Sequence, residues 1–428
     1  MNEVDAKLLQ REREGRPIGV ALVGAGQMGT EIVAQIGEMV GMRVMVIVDI
    51  DEERARNGYA YSKHVAQTVI TADLDAAEKA VRAGKRVATT DYTIATRLST
   101  VDVVVDATGQ TEMGAKVTMD AVDHKKHVVM MSVETDVTIG PMLRRLATNA
   151  GVQYSLAAGD EPAAIIELYR FAHALGFEIV CAGKGKNNPL NIYSNPDTEA
   201  EKAAARKMSA RMLCEFVDGS KTAVEMAAVS NATGLLPDVR GMHAAKATVP
   251  DLTRVFVPEK DGGVLLKKGV VDFAIGVHPG VFLIVTTDNM RLREALVQRD
   301  MGDGPYYTLF RPFHLCSIEV PLTVAQCVLY GESSGHPAAG LVSECIAVAK
   351  RDLAAGETLD GIGEYCYRGS IEVAAIARSE NLLPLGLAKG CVLVRDIKKD
   401  AVISYDDVRI ENESVLLQLR RIQDSLYS

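Results

Sequence analysis

The sequence lacks close cysteine pairs: its seven cysteines are an odd number, and no two stand in a CxxC spacing. This argues against a disulfide framework or a structural zinc site and suggests reduced, mostly buried thiols in a cytoplasmic protein. No apolar run approaches the roughly 18–20 residues that a membrane span needs. The opening stretch MNEVDAKLLQREREGRP is charged throughout, unlike a signal peptide. Positive charge is in deficit, with 47 Lys and Arg against 56 Asp and Glu and a formal net charge of −9. That argues against nucleic acid or an anionic membrane as the main partner, while a local basic site can still take a small anion. Internal repeats and low-complexity tracts are also missing.

What is present is ordinary globular composition, 48% hydrophobic and 24% charged, over 428 residues, enough for two or three domains. After a short charged helix over 4–14, strand-like runs (IGVALVG, MRVMVIVDID, RVATT, VDVVVDATG, HVVMMSVE, VQYSL) alternate with helical stretches. This alternation predicts a doubly wound parallel α/β sheet, so residues 1–155 read as a Rossmann-type domain with an N-terminal helix. Residues 156–336 read as an α+β catalytic domain. There a helix over 161–175 leads into FEIVCAGKG, and later runs (GGVLLKKGVVDFAIG, GVFLIVTT, YYTLF) suggest a mostly antiparallel sheet. The stretch GESSGHPAAG reads as a linker, and 337–428 as a small, Gly-punctuated, β-rich domain.

VALVGAGQMGTEIV places Gly24, Gly26 and Gly29 in a GxGxxG pattern between an apolar strand and a helix, with Gln27 and Met28 inside the turn. The first glycine permits the tight turn, the second admits a pyrophosphate, and the third lets helix and strand pack closely. Asp49, at the end of the next strand, is placed to accept hydrogen bonds from the adenosine ribose. A carboxylate there disfavours a 2′-phosphate, so NAD is expected over NADP. Asp51 is an alternative ribose contact, and Arg54 and Arg56 keep a phosphate possible. Ala107, Thr108 and Gly109, in VVVDATG, are expected beside the nicotinamide ribose. Ser132 to Asp136 end the next strand and form a second site edge, with polar strand-end caps as the plainer reading.

In the second domain, Asp160 and Glu161 precede a helix that has Pro162 in its first turn. Asp160 reads either as an N-cap, with Glu161 as a first-turn charge, or the two act as general acid/base or as oxygen ligands for Mg2+ or Mn2+. Lys184 and Lys186 alternate with glycine after an apolar strand and so point the same way. With Asn187 and Asn188 they form a donor-rich group that can hold a carboxylate or phosphate while one ammonium polarises a carbonyl. A solvated loop is the plainer alternative. Arg311 suits bidentate anion binding. His314 is either a proton donor or a packed histidine. VSNATG, Ser230 to Gly234, lines a pocket or forms a turn.

Taken in order, the glycine fingerprint, DATG, VETDVTIGP, AAGDEPA, AGKGKNNPLN and RPFHL resemble the homoserine dehydrogenase-like family with a C-terminal SAF domain. The resemblance is closest to the deoxyxylulose-phosphate reductoisomerase-like branch and runs over nearly the whole chain; residues 337–428 are similar to the SAF module. It implies an NAD(P)-dependent oxidoreductase, usually a homodimer. In the reductoisomerase-like branch a divalent metal holds the hydroxy-ketone oxygens during a rearrangement, before hydride transfer. Lys184, Lys186, Asn187 and Asn188 would then carry the substrate, and Asp160 with Glu161 the metal or proton transfer. That branch uses NADPH, from which Asp49 departs, pointing to a relative that uses NAD on a different polyol, hydroxy acid or sugar phosphate. The alternatives are a homoserine-type dehydrogenase, which needs no metal, and a nucleotide-binding sensor without turnover.

Overall fold

The computed structural model describes residues 3–186, 188–411 and 413–427. The chain divides into two compact units. One holds the residues up to Ala163 together with Leu315–His336 and Gln418–Leu426; the other holds Ala164–His314, Pro337–Leu417 and Tyr427.

The first unit is built on a parallel sheet of β1 (Ile18–Val23), β2 (Met42–Val48), β3 (Thr68–Ile70), β4 (Arg86–Thr89), β5 (Val103–Asp106), β6 (His127–Met130) and β7 (Tyr154–Leu156). Their order is β3-β4-β2-β1-β5-β6-β7, so the strand order reverses between β1 and β5. β1 and β5 are buried at every residue, as strands covered on both faces must be. This is the doubly wound α/β fold expected from the sequence. The helix Cys316–Tyr330 also belongs to this unit, and its Val320, Val324, Ala325 and Cys327 join the core formed by β1, β5 and the helix Gln27–Glu38. Near the end of the chain, Gln423 donates to Thr138 O at 3.0 Å and accepts from Met142 N at 3.0 Å.

The second unit centres on a mixed sheet. Its strands are β8 (Glu178–Lys186), β9 (Leu236–Pro237), β10 (Val270–Ile275), β11 (Val281–Thr286) and β12 (Tyr306–Arg311), ordered β12-β11-β8-β10-β9. The expected mostly antiparallel sheet is therefore half right. β11 runs antiparallel to both β12 and β8, but β10 is parallel to β8 and β9. The apolar run over 262–276 forms a strand only from Val270. Residues 337–417 add two antiparallel strand pairs to this unit, β13 (Ser343–Ala349) with β14 (Tyr367–Val373) and β15 (Val392–Leu393) with β16 (Val408–Arg409). No described helix is long and apolar enough to cross a membrane.

Candidate active site

At the carboxyl end of the parallel sheet, the glycine turn and the DATG stretch meet. Val23 pairs with Asp106, Ala107 N donates to Val23 O at 2.8 Å, and a Cβ on Gly24 would lie 2.6 Å from Ala107 O. Gly24 also has φ +102, a left-handed conformation that costs glycine nothing. Gly29 is required for a different reason: a Cβ there would sit 2.0 Å from Gly24 O. Gly26 faces open space and serves as N-cap of Gln27–Glu38 without a capping side chain. Helix-start N–H groups beside an open glycine suit a pyrophosphate.

Asp49 is buried, with Oδ2 accepting from Ala25 N at 2.8 Å and Oδ1 from Asp51 N at 3.0 Å. The first of these bonds ties the end of β2 to the glycine turn. Asp51 instead caps the helix Glu52–Asn57, accepting from Glu53 N and Arg54 N. Arg54 pairs with Asp51 and Arg56 with Glu53, on the same short helix. Thr108 donates to Asp106 Oδ1 at 2.8 Å, and Gly109 N to Ser132 Oγ at 2.9 Å, so the two expected site edges are joined. Burial pushes the Asp106 carboxyl upward, opposed by the Ser132 and Thr108 hydroxyls. Met28 lies against Ser317, whose hydroxyl donates to Glu31 at 2.7 Å.

Asp160 and Glu161 remain at the start of the helix Glu161–Ala174. Asp160 is buried, with Cys316 Sγ 3.9 Å from its Oδ1. Two adjacent carboxylates are oxygen donors of the kind that Mg2+ and Mn2+ take, but they are fewer than the six ligands such ions prefer.

The expectation of a strand running out into a lysine-bearing loop is corrected. Lys184 and Lys186 are residues of β8 itself, and only 7% and 6% of their surface is exposed. The alternating glycines follow from packing on the other face: a Cβ on Gly183 would lie 2.5 Å from the Phe282 ring, and one on Gly185 1.6 Å from Val277 O. Lysines on one face and glycines on the other therefore belong to a strand whose two sides are used differently.

Lys184 is hydrogen-bonded and ion-paired to Glu225, on the buried helix Ser220–Thr233. Lys186 donates to the carbonyl of Phe216, near the end of the helix Ala210–Val217. Burial pulls Lys186 down to about 8, helped by the Lys184 charge and opposed by Glu225 and Asp218. Asp218 is itself bound to Lys350, from just beyond β13, at 2.6 Å.

Other expected residues are placed as follows. Asn188 accepts from Arg206 at 2.9 Å, and Asn187 lies outside the described residues. Arg311 ends β12, pairs with Glu167 at 3.1 Å and lies over the Phe313 ring. His314 is half-buried, between the exposed Phe313 and Leu315. Ser230 and Asn231 are fully buried. Ser230 bonds Ser343 at 2.6 Å, and Asn231 Oδ1 accepts from Val342 N and Ser343 N. Glu225, Asp218 and Lys350 were not anticipated. The available signal for Glu225 was one carboxylate inside AVEMAAVSNA, a stretch otherwise too small and apolar to be a surface helix.

Residues 24–157 match the family model for the NAD-binding domain of homoserine dehydrogenase, and residues 159–320 match that for the catalytic domain of the oxidoreductase DRL. No curated protein matches the sequence. Among solved structures, a probable dehydrogenase from Thermotoga maritima is 14% identical, with 74% of this chain and 90% of that one covered and a TM-score of 0.41. A dihydrodipicolinate reductase from Paenisporosarcina is 13% identical, covering 74% and 97%, with a TM-score of 0.38. A myo-inositol dehydrogenase from Corynebacterium glutamicum is 11% identical, covering 74% and 89%, with a TM-score of 0.39. An NAD-binding segment followed directly by an oxidoreductase catalytic segment makes the chain an NAD(P)-dependent oxidoreductase.

Proposed function

We propose that the protein uses NAD to oxidise or reduce a small, polar, anionic substrate: a sugar phosphate, polyol or hydroxy acid. One observation carries this reading. Two buried lysines share one face of β8, inside the segment that matches an oxidoreductase catalytic domain. Ammonium groups withdrawn from water attract a carboxylate or phosphate far more strongly than exposed ones. When bound, the nicotinamide supplies or accepts a hydride. Gly24, Gly26 and Gly29 would receive its pyrophosphate and Asp49 its adenosine ribose. Lys184 and Lys186 would hold the substrate anion and handle the proton on its reacting oxygen, with Asn188, Arg311 and His314 as further substrate contacts.

The finer reading is a reductoisomerase-like enzyme with an SAF-like segment at 337–428, working as a homodimer in the cytoplasm. In it, Asp160 and Glu161 would hold Mg2+ or Mn2+, which would polarise paired substrate oxygens. A homoserine-type dehydrogenase is the metal-independent alternative, and a sensor that binds nucleotide without turnover is the alternative of another class.

A panel of sugar phosphates, polyols and hydroxy acids, followed by nicotinamide absorbance with NAD and NADP and with or without Mn2+, separates these readings. Mn2+-dependent turnover with an altered carbon skeleton, abolished in Asp160→Asn, supports the reductoisomerase. Metal-independent turnover supports the dehydrogenase. Dinucleotide binding with no turnover on any member would overturn the enzymatic proposal for this substrate class.

A further inference from the structure

The two lysines of β8 have unlike partners, and the difference assigns them unlike roles. We propose that Glu225 is a positioning residue that keeps Lys184 a permanent ammonium, and that Lys186 is the lysine that exchanges a proton with the substrate oxygen. This deepens the reading just given and rests on it for the identity of the reacting oxygen.

The geometry separates the pair. Lys184 meets a full carboxylate that is 1% exposed, so its charge is matched where water cannot match it. Lys186 meets a neutral carbonyl, that of Phe216. Asp218, one of the two carboxylates that act on Lys186, is engaged by Lys350, which also donates to Ser194 O at 2.7 Å and Glu364 O at 2.8 Å. The charged groups acting on Lys186 are therefore Lys184, which disfavours its proton, and Glu225 and Asp218, which favour it. With burial, the balance brings Lys186 from the ordinary lysine value of 10.5 to about 8, where both protonation states are populated near neutral pH. A general acid/base works best when its pKa lies close to the working pH.

In the reductive direction a hydride reaches the carbonyl carbon, the C=O π pair moves to oxygen, and the Lys186 ammonium gives that oxygen its proton. The neutral amine left behind regains a proton from water. In the oxidative direction the neutral amine takes the hydroxyl proton as hydride leaves carbon. Lys184 stays charged in both directions and holds the substrate's anionic group.

The test needs no substrate. The full-length protein is labelled with 13Cε-lysine, and the two side-chain signals are assigned with Lys184→Met and Lys186→Met and followed by NMR against pH. The Lys186 signal is expected to titrate near 8, and the Lys184 signal not to titrate before the surface lysines. Glu225→Gln should move the Lys186 midpoint downward and bring Lys184 into titration, because both lose the same negative charge. Lys184→Met should move the Lys186 midpoint upward, and this decides the matter if Glu225→Gln does not fold. A Lys186 signal that titrates with the surface lysines, or one that stays put in the folded variants, overturns the proposal. If the titrations hold but no substrate in the panel turns over, the substrate reading fails and the division of protonation states stands. Turnover with titrations that contradict the division fails only this inference.

Discussion

Asp49 combines charge and geometry, because the carboxylate that would meet the ribose also receives Ala25 N and Asp51 N. Asp49→Ser removes the charge that repels a 2′-phosphate. The ratio of NADP to NAD dissociation constants, measured by titration calorimetry, should fall by about tenfold or more, equivalent to about 1.4 kcal/mol. An unchanged ratio would place the ribose contact elsewhere. Lys184→Ala and Lys186→Ala should each lower kcat/KM by at least about tenfold, again about 1.4 kcal/mol of transition-state stabilisation; wild-type turnover in both would remove β8 from the chemistry. These residues could be singled out because their signals are local: glycine spacing after a strand, an acid at the next strand's end, and lysines two apart. Glu225 could not, since it lies 41 residues beyond Lys184 and acquires its meaning only when its helix packs on the sheet.

The same contrast holds for whole elements. The β1 to β7 alternation could be read because each strand is a short apolar run between helical periods. The end of β8 was read as a loop because glycine and lysine are poor strand formers in isolation, and the packing that requires them, from Phe282 and Val277, comes about a hundred residues later. The helix Val133–Ala150 hides another such feature. Asp136 lies buried within it, accepts from Tyr154 Oη at 2.8 Å, and has its Oδ2 without a partner. Burial pushes this carboxyl up to about 7, with the Tyr154 bond working against the rise. An unfolded aspartate loses its proton near pH 4. Its stabilising contribution is therefore fully present below that value, declines as pH rises, and is lost once pH passes about 7. The difference is on the order of 4 kcal/mol at most. Asp136→Asn keeps an acceptor for Tyr154 but cannot ionise, so urea midpoints from about pH 5 to about pH 8 should fall less steeply in the variant. Parallel pH profiles would show that Asp136 does not titrate in this range. Asp106, raised in the same sense, is present in both proteins and cancels from the comparison.

For the molecule as a whole, the order of segments was readable but their assembly was not. Composition marks the change of texture near 156 and the glycine-rich stretch near 336, yet it carries no information about which surfaces meet. Residues 337–417 fold into the unit that contains β8, and Lys350 is the clearest link between them. Its ammonium and the Asp218 carboxylate are 2.6 Å apart with side chains 3% and 0% exposed, and burial raises the Asp218 pKa against the pull of Lys350. Removing one partner of such a pair leaves an uncompensated charge, at a cost of about 3–5 kcal/mol. Lys350→Met should therefore lower the melting temperature of the unit that holds β8, read by calorimetry and by hydrogen exchange in the helix Ser220–Thr233. NAD affinity should stay unchanged, since the glycine turn belongs to the other unit. Adding Asp218→Asn removes the stranded charge, so the double variant should regain part of the loss. If Lys350→Met melts like the parent protein, or if the second substitution only adds to the damage, the ion pair is not what ties the late segment to the β8 sheet.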